Sequence, residues 1–97
     1  MAAETAVRVR IEGRVQGIGF RYWTIDQAAA LGLRGWVRNR IDGAVEAVFA
    51  GPGEAVAEMV RRCHDGPAFA HVERVERVAE DPEAEPVGPG FHVAPTA

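Results

Sequence analysis

The chain has 97 residues, 47% of them hydrophobic, a formal net charge of −3 and a single cysteine, which is enough for one modest core and too little for two. No run of about 18 apolar residues is present to cross a bilayer, residues 1–6 lack the basic start and apolar stretch of a signal peptide, and Cys63 alone cannot close an internal disulfide. These features predict one cytoplasmic domain over residues 1–97, with its core over about 7–93, short tails at 1–6 and 94–97, and no membrane association.

The net charge conceals an asymmetry. Between Val7 and Arg40, seven arginines (Arg8, Arg10, Arg14, Arg21, Arg34, Arg38 and Arg40) stand against Glu12 and Asp26, a balance of +5, whereas residues 41–97 hold four arginines against eleven acids, or −7. Such a split favours a small anion at the N-terminal half, because a long polyanion would also have to pass the acidic half. Taken singly, most of these arginines read as solvated residues on strand faces.

In chain order, Val7, Val9 and Ile11 alternate with Arg8, Arg10 and Glu12, the pattern of a half-buried strand. Gly13-Arg14-Val15-Gln16-Gly17-Ile18-Gly19-Phe20-Arg21 follows. Its glycines let successive backbone N–H groups turn onto one oxyanion, the helix start that comes next adds positive potential, and a guanidinium offers paired donors matched to a phosphate edge. Val15, Gln16, Gly17, Ile18, Gly19, Phe20 and Arg21 are therefore predicted to form a phosphate-binding loop. As a mere surface residue, Arg21 would oppose the dipole of that helix, which favours the anion-binding role. Ile25, Ala28, Ala29 and Gly32 fall on one helical face, the side expected to be buried, beside Leu31, and Gly32 suits a left-handed cap.

Two strands come next, Gly35 to Ile41 and Ala44 to Ala50, joined by the turn formers Asp42-Gly43. Gly51-Pro52-Gly53 breaks the second of them, and Ala55, Val56, Met59, Val60 and Cys63 mark an amphipathic helix that stops before Gly66-Pro67. Val72, Val75 and Val78 are three apart and fit a fourth strand only if it is bulged. Residues 80–90, with three prolines and four acids, read as a loop, and Phe91-His92-Val93 as a short edge strand. The order βαββαβ is that of the ferredoxin-like sandwich, an α+β fold with one antiparallel sheet and both helices on one face.

Three segments now resemble one family. Gly13-Arg-Val-Gln-Gly-Ile-Gly-Phe-Arg21, then Ala28-x-x-Leu31-Gly-Leu33-x-Gly35-Trp36-Val37-Arg38-Asn39-x-x-Asp42-Gly43-x-Val45-Glu46, then Gly66-Pro67-x-x-Ala70-x-Val72-x-x-Val75 are similar to the acylphosphatase pattern over roughly residues 7–78. The resemblance implies hydrolysis of the carboxyl–phosphate bond of a small acyl phosphate by Arg21 and Asn39, with no metal and no cofactor. Departures are small: Cys63 stands where leucine is expected, Ile18 where valine is commoner, and Ala-Pro-Thr-Ala closes the chain in place of an aromatic or basic residue.

The residues themselves carry chemistry that agrees. Asn39 shares strand parity with Val37 and Ile41, so it is predicted to point to the helix-covered face, with those two residues in the core and the glycine loop within reach. An amide is a poor base, yet it can hold a water by donating and accepting hydrogen bonds. That suffices when the leaving group is a carboxylate of pKa about 4 to 5, which departs without a proton from the protein. In a loose transition state, loop N–H groups and Arg21 hold the phosphoryl oxygens while Asn39 aligns the water.

Competing chemistries fail on specific counts. A P-loop needs a lysine and the chain has none; Gly17-x-Gly19 lacks the third glycine of a dinucleotide loop. A cysteine phosphatase built on Cys63 would need arginine where Phe69 stands, so Cys63 reads as core. His64, His71 and His92 form no close-spaced metal-ligand pair. Trp23 and Trp36 read as packing residues. The open strand faces, with Arg8, Arg10 and Glu12 on the first strand and Ala44, Glu46 and Val48 on the third, lack the aromatic platforms of an RNA-binding module. No nucleic-acid partner is expected, and without a long apolar surface stripe the chain is expected to be a monomer. A silent anion-sensing module would keep Arg21 but could dispense with Asn39.

Overall fold

The computed structural model describes residues 4–79 and 88–97. Its elements are β1 (Glu4–Arg14), α1 (Phe20–Ala30), β2 (Arg34–Asn39), β3 (Val45–Pro52), α2 (Gly53–Cys63), β4 (His71–Ala79) and β5 (Phe91–Val93). The strand order is β4-β1-β3-β2-β5. The first four strands pair antiparallel, as the ferredoxin-like reading requires, but β5 runs parallel to β2. The sheet is therefore mixed, not purely antiparallel. The chain leaves β4 at one edge and re-enters at the other, where Gly35 N–H donates to the Gly90 carbonyl at 3.0 Å and fixes the direction of entry.

The core lies between one sheet face and the two helices. Val7, Val9 and Ile11 of β1, Val37 of β2, and Val45, Ala47 and Phe49 of β3 face Phe20 and Ala28 of α1 and Val56, Met59, Val60 and Cys63 of α2. Helix α1 buries Phe20, Thr24 and Ala28, and the Thr24 hydroxyl is satisfied by donating to the Phe20 carbonyl at 2.8 Å. Ala29, expected on the buried side, is exposed. Gly32 takes the predicted left-handed cap, with φ 69°. No helix among the described residues is long and apolar enough to cross a membrane.

Two faces differ from expectation. Ile41 is 87% exposed, not core, because β2 ends at Asn39 and strand parity ends with it. Val48 is fully buried although it belongs to the open face. Its cross-strand neighbours are Arg8 and Trp36, and the Arg38 and Arg8 guanidiniums lie 4.7 and 5.9 Å from the Trp36 ring, so long side chains roof the valine.

β4 carries the bulging that the valine spacing calls for, at two places. Glu12 pairs with Arg74 but Gly13 with Val72, and Val9 pairs with Arg77 but Arg8 with Ala79, so Glu73 and Val78 are the extra residues. The first bulge gives Val72 the parity of Val75, and both reach the core; the second leaves Val78 exposed. Neither chain end trails free as far as it is described. Residues 4–6 belong to β1. Beyond β5, Ala94 N–H donates to the Val37 carbonyl at 2.9 Å, Ala97 N–H to that of Asn39 at 3.1 Å, and Ile41 N–H to that of Ala97 at 2.9 Å. Most of the expected 80–90 loop, residues 80–87, lies outside the described residues.

Gly35 is where the sheet closes most tightly. It sits between Phe49 and Phe91 in register, whose rings stack at 5.6 Å. Its φ is 139°, and a Cβ there would collide with the Val48 carbonyl and lie 3.2 Å from the Phe91 ring. Gly35→Ala is expected to destabilise the fold by about 2 kcal/mol or more, because both backbone strain and steric clash act at once. Urea unfolding checks this, and an unchanged midpoint would contradict it.

Candidate active site

The loop from β1 to α1 is anchored at both ends by side chains that never reach a ligand. Val15 and Phe20 are each 1% exposed, so of the seven predicted loop residues these two offer only backbone. Phe20 also meets Trp23 edge-on, 5.3 Å between centroids. Between the anchors, Gly17 and Gly19 adopt φ of 76° and 82° with nothing within 4 Å of an ideal Cβ. Glycine is needed there for conformation, and the missing side chains leave the backbone open to an anion. Gly19 is the N-cap of α1, no side chain caps it, and the first turn carries no acid, so the positive end of the helix is not answered from within.

Charge pairing separates the arginines. Glu46 holds Arg38 at 2.6 Å, Arg40 at 3.5 Å and Arg8 at 3.7 Å; Arg10 pairs with Asp42 at 2.8 Å and Arg34 with Glu4 at 2.7 Å. The guanidiniums of Arg14 and Arg21, by contrast, make no hydrogen bond or ion pair with another described residue. Arg21 is half-buried on the first turn of α1. Five of the seven are thus paired with carboxylates and not merely solvated, Arg14 is the exposed, solvated one, and the Arg21 guanidinium retains its full donor set.

Gln16 joins the loop to the other half of the site. Its Nε2 donates to the Arg40 carbonyl at 2.7 Å and to the Ala44 carbonyl at 2.8 Å, gripping the β2–β3 turn directly after Asn39. That turn is set by Arg40 N–H on the Ala44 carbonyl at 2.8 Å and by Ala44 N–H on Asp42 Oδ1 at 3.1 Å. The Ala44 amide, and after it the Arg10 guanidinium, holds the Asp42 carboxyl below its usual range. Asn39 is half-buried and lies opposite Val45, in phase with the Val37–Ala47 pair, hence on the helix-covered face as predicted. Periodicity places Gln16 in the loop but gives no sign of this clamp, whose acceptors lie 24 and 28 residues away.

A cleft of about 440 Å³ adjoins the loop, lined by Arg14, Gly17, Ile18 and Phe69. Sequence reasoning assigned no role to Arg14 or Phe69; the only hint was an aromatic residue at an exposed turn. Among the described residues no group of three or more His, Cys, Asp or Glu is placed to hold a metal, and His64, His71 and His92 are all exposed.

The comparisons with known proteins bear on this geometry. Residues 7–93 match the acylphosphatase family model, and the acylphosphatase of Azorhizobium caulinodans is 57% identical over 86 residues, which span 89% of this chain and 90% of that protein. The chain belongs to the acylphosphatase family. The crystal structure of the Bacillus subtilis acylphosphatase aligns with a TM-score of 0.84 at 34% identity, covering 93% of this chain and 98% of that one. The structure of the Coxiella burnetii acylphosphatase aligns at 0.82 and 31%, covering 94% and 93%. The activity is hydrolysis of an acyl phosphate to a carboxylate and inorganic phosphate.

Cys63 takes no part in the site. Its thiol is buried and pushed up to about 12 by that burial, so the nucleophilic thiolate is scarce at neutral pH. Iodoacetamide at pH 8 is expected to leave the folded chain unlabelled and fully active and to modify Cys63 only in urea, as read by intact mass. Inactivation that tracks labelling of the folded chain would contradict this.

Proposed function

We propose that Arg21 and the backbone N–H groups of residues 15–21 hold the phosphoryl oxygens of the acyl phosphate, and that Asn39 positions the attacking water. The observation that carries this reading is the contrast in pairing: five neighbouring arginines are engaged by carboxylates, while Arg21 stands unengaged among the described residues at an uncapped helix start. The Gln16 clamp supports the placement of Asn39 beside the loop.

The reaction then needs little else. The water oxygen bonds to phosphorus as the bond to the acyl oxygen breaks, and its electron pair leaves on the carboxylate. The water proton passes to a phosphoryl oxygen. The carboxylate is stable without a proton, so no general acid is required, and the donors act on charge that spreads over the phosphoryl oxygens. The Asn39 amide accepts from and donates to the water without acting as a base. No metal enters this scheme. We also place the enzyme in the cytoplasm as a monomer acting on a small molecule and not on nucleic acid. The Trp36 ring, the one aromatic platform on the open face of β2, is already in contact with the Arg8 and Arg38 guanidiniums, which supports the last point.

Three measurements test the roles. Arg21→Ala is expected to abolish nearly all turnover and phosphate binding, and Arg21→Lys to recover little, since a point charge lacks the paired geometry; wild-type activity in the lysine variant would refute bidentate binding. Asn39→Ala is expected to lower kcat by about a hundredfold with little change in inhibition by inorganic phosphate, the pattern of an interaction made mainly in the transition state. Asn39→Asp should be no better, and a fully active aspartate variant would instead indicate a general base. EDTA should leave the rate unchanged; a loss restored by a divalent cation would overturn the metal-free scheme.

A further inference from the structure

Phe69 is 81% exposed, a placement that contributes nothing to the core, and its position beside the phosphate loop is built by the fold. It stands on the turn closed by Ala70 N–H donating to the Pro67 carbonyl at 3.0 Å. That turn is seated on the loop: Gly66, with φ 67°, approaches so closely that a Cβ would lie 2.8 Å from the Phe20 ring. The same Phe20 precedes Arg21. Phe69 therefore forms one wall of the 440 Å³ cleft, which it shares with Ile18, Gly17 and Arg14.

We propose that this cleft is the acyl subsite and that Phe69 is a specificity-determining residue, which selects acyl phosphates whose acyl group is flat and apolar. The proposal rests on the reading of residues 15–21 as the phosphate-holding loop. Gly17 and Ile18 belong to both loop and cleft, so a phosphoryl group held by the loop directs its acyl substituent into the cleft. The Phe69 ring and the Ile18 side chain give that substituent two apolar contacts, and the volume suits a small ligand. Arg14 is the one charged residue lining the cleft, and it makes no pair among the described residues. With the acyl group in this cleft, its positive charge favours the oxygen that takes the electron pair when the phosphorus–oxygen bond breaks, where negative charge appears on the departing carboxylate.

The test is steady-state hydrolysis of benzoyl phosphate and acetyl phosphate by the wild type, Phe69→Ala and Phe69→Leu, with inorganic phosphate as inhibitor. Phe69→Ala is expected to lower the ratio of kcat/KM for benzoyl over acetyl phosphate by about tenfold, mainly through KM. Phe69→Leu should recover part of that ratio, and the phosphate inhibition constant should stay the same in all three. An unchanged ratio in Phe69→Ala, with phosphate still competing, would overturn the acyl subsite and leave the loop reading intact. Failure of phosphate to compete in the wild type would overturn the loop reading itself and the subsite with it. A third substrate, succinyl phosphate, carries a charged tail; its preference over benzoyl phosphate, lost in Arg14→Gln and kept in Phe69→Ala, would overturn the apolar assignment.

Discussion

One primary amide fastens the two halves of the site. The glycine loop has no ladder of its own, and the end of β2 lies more than twenty residues further along, yet the Gln16 amide donates to both carbonyls that frame the turn between them. Each such bond contributes only about 1 kcal/mol net, a small share of the stability of the fold. On the role proposed for Asn39 its importance is geometric, because a water-positioning group displaced by about 1 Å can lose a hundredfold in rate. On its other side Asn39 is gripped through its own backbone carbonyl by Ala97 N–H. The strand end that carries Asn39 is thus held by β3, by the loop and by the segment after β5, although it lies near the limit of the sheet.

The charge distribution shows how a cluster of cations becomes a site. The excess of arginine in the first half of the chain points to an anion, but most of that excess is answered inside the structure, with Glu46 alone engaging three guanidiniums on the open face. Similar pairing recurs on α2, where Arg61 and Arg62 hold the Glu58 carboxyl down to about 2, and Arg62 also donates to Gln27 at 2.9 Å, linking α2 to α1. The more exposed of these pairs, such as Arg61 with Glu58, are worth little in stability. The carboxylates together remove competing cations, so the arginines of the N-terminal half left without a carboxylate among the described residues are Arg14 and Arg21, at the two ends of the loop.

Much of this was legible in the chain because periodicity and turn chemistry are local. The alternation of Val7, Val9 and Ile11 gives β1 and its buried face, and the glycines at 17 and 19 give a loop whose φ values no other residue adopts as readily. Periodicity is silent about where an element stops, which is why Ile41 was assigned to the core and lies in solvent. It is equally silent about partners distant in sequence. The parallel approach of β5, the roof over Val48, the clamp made by Gln16 and the seating of Gly66 on Phe20 each depend on a neighbour that no window of the sequence contains. The β4 bulges are an intermediate case, since the three-residue valine spacing required an insertion but not its place.

The small number of residues in the site follows from the substrate. An alkyl phosphate monoester would leave as an alkoxide and would call for a proton donor held at the leaving oxygen. An acyl phosphate leaves as a carboxylate, so the protein has only to gather charge and align a water. On the proposed roles, one loop, one helix start and one amide at a strand end suffice, and all three are supplied by the first half of the chain. The second half then serves two ends. Helix α2 and β4 complete the core, and the turn between them brings the Phe69 ring to the cleft beside the loop, the proposed acyl subsite. On these readings chemistry and selectivity are carried by different segments, so a change at Phe69 alters the choice of acyl group without touching the loop that holds the phosphate.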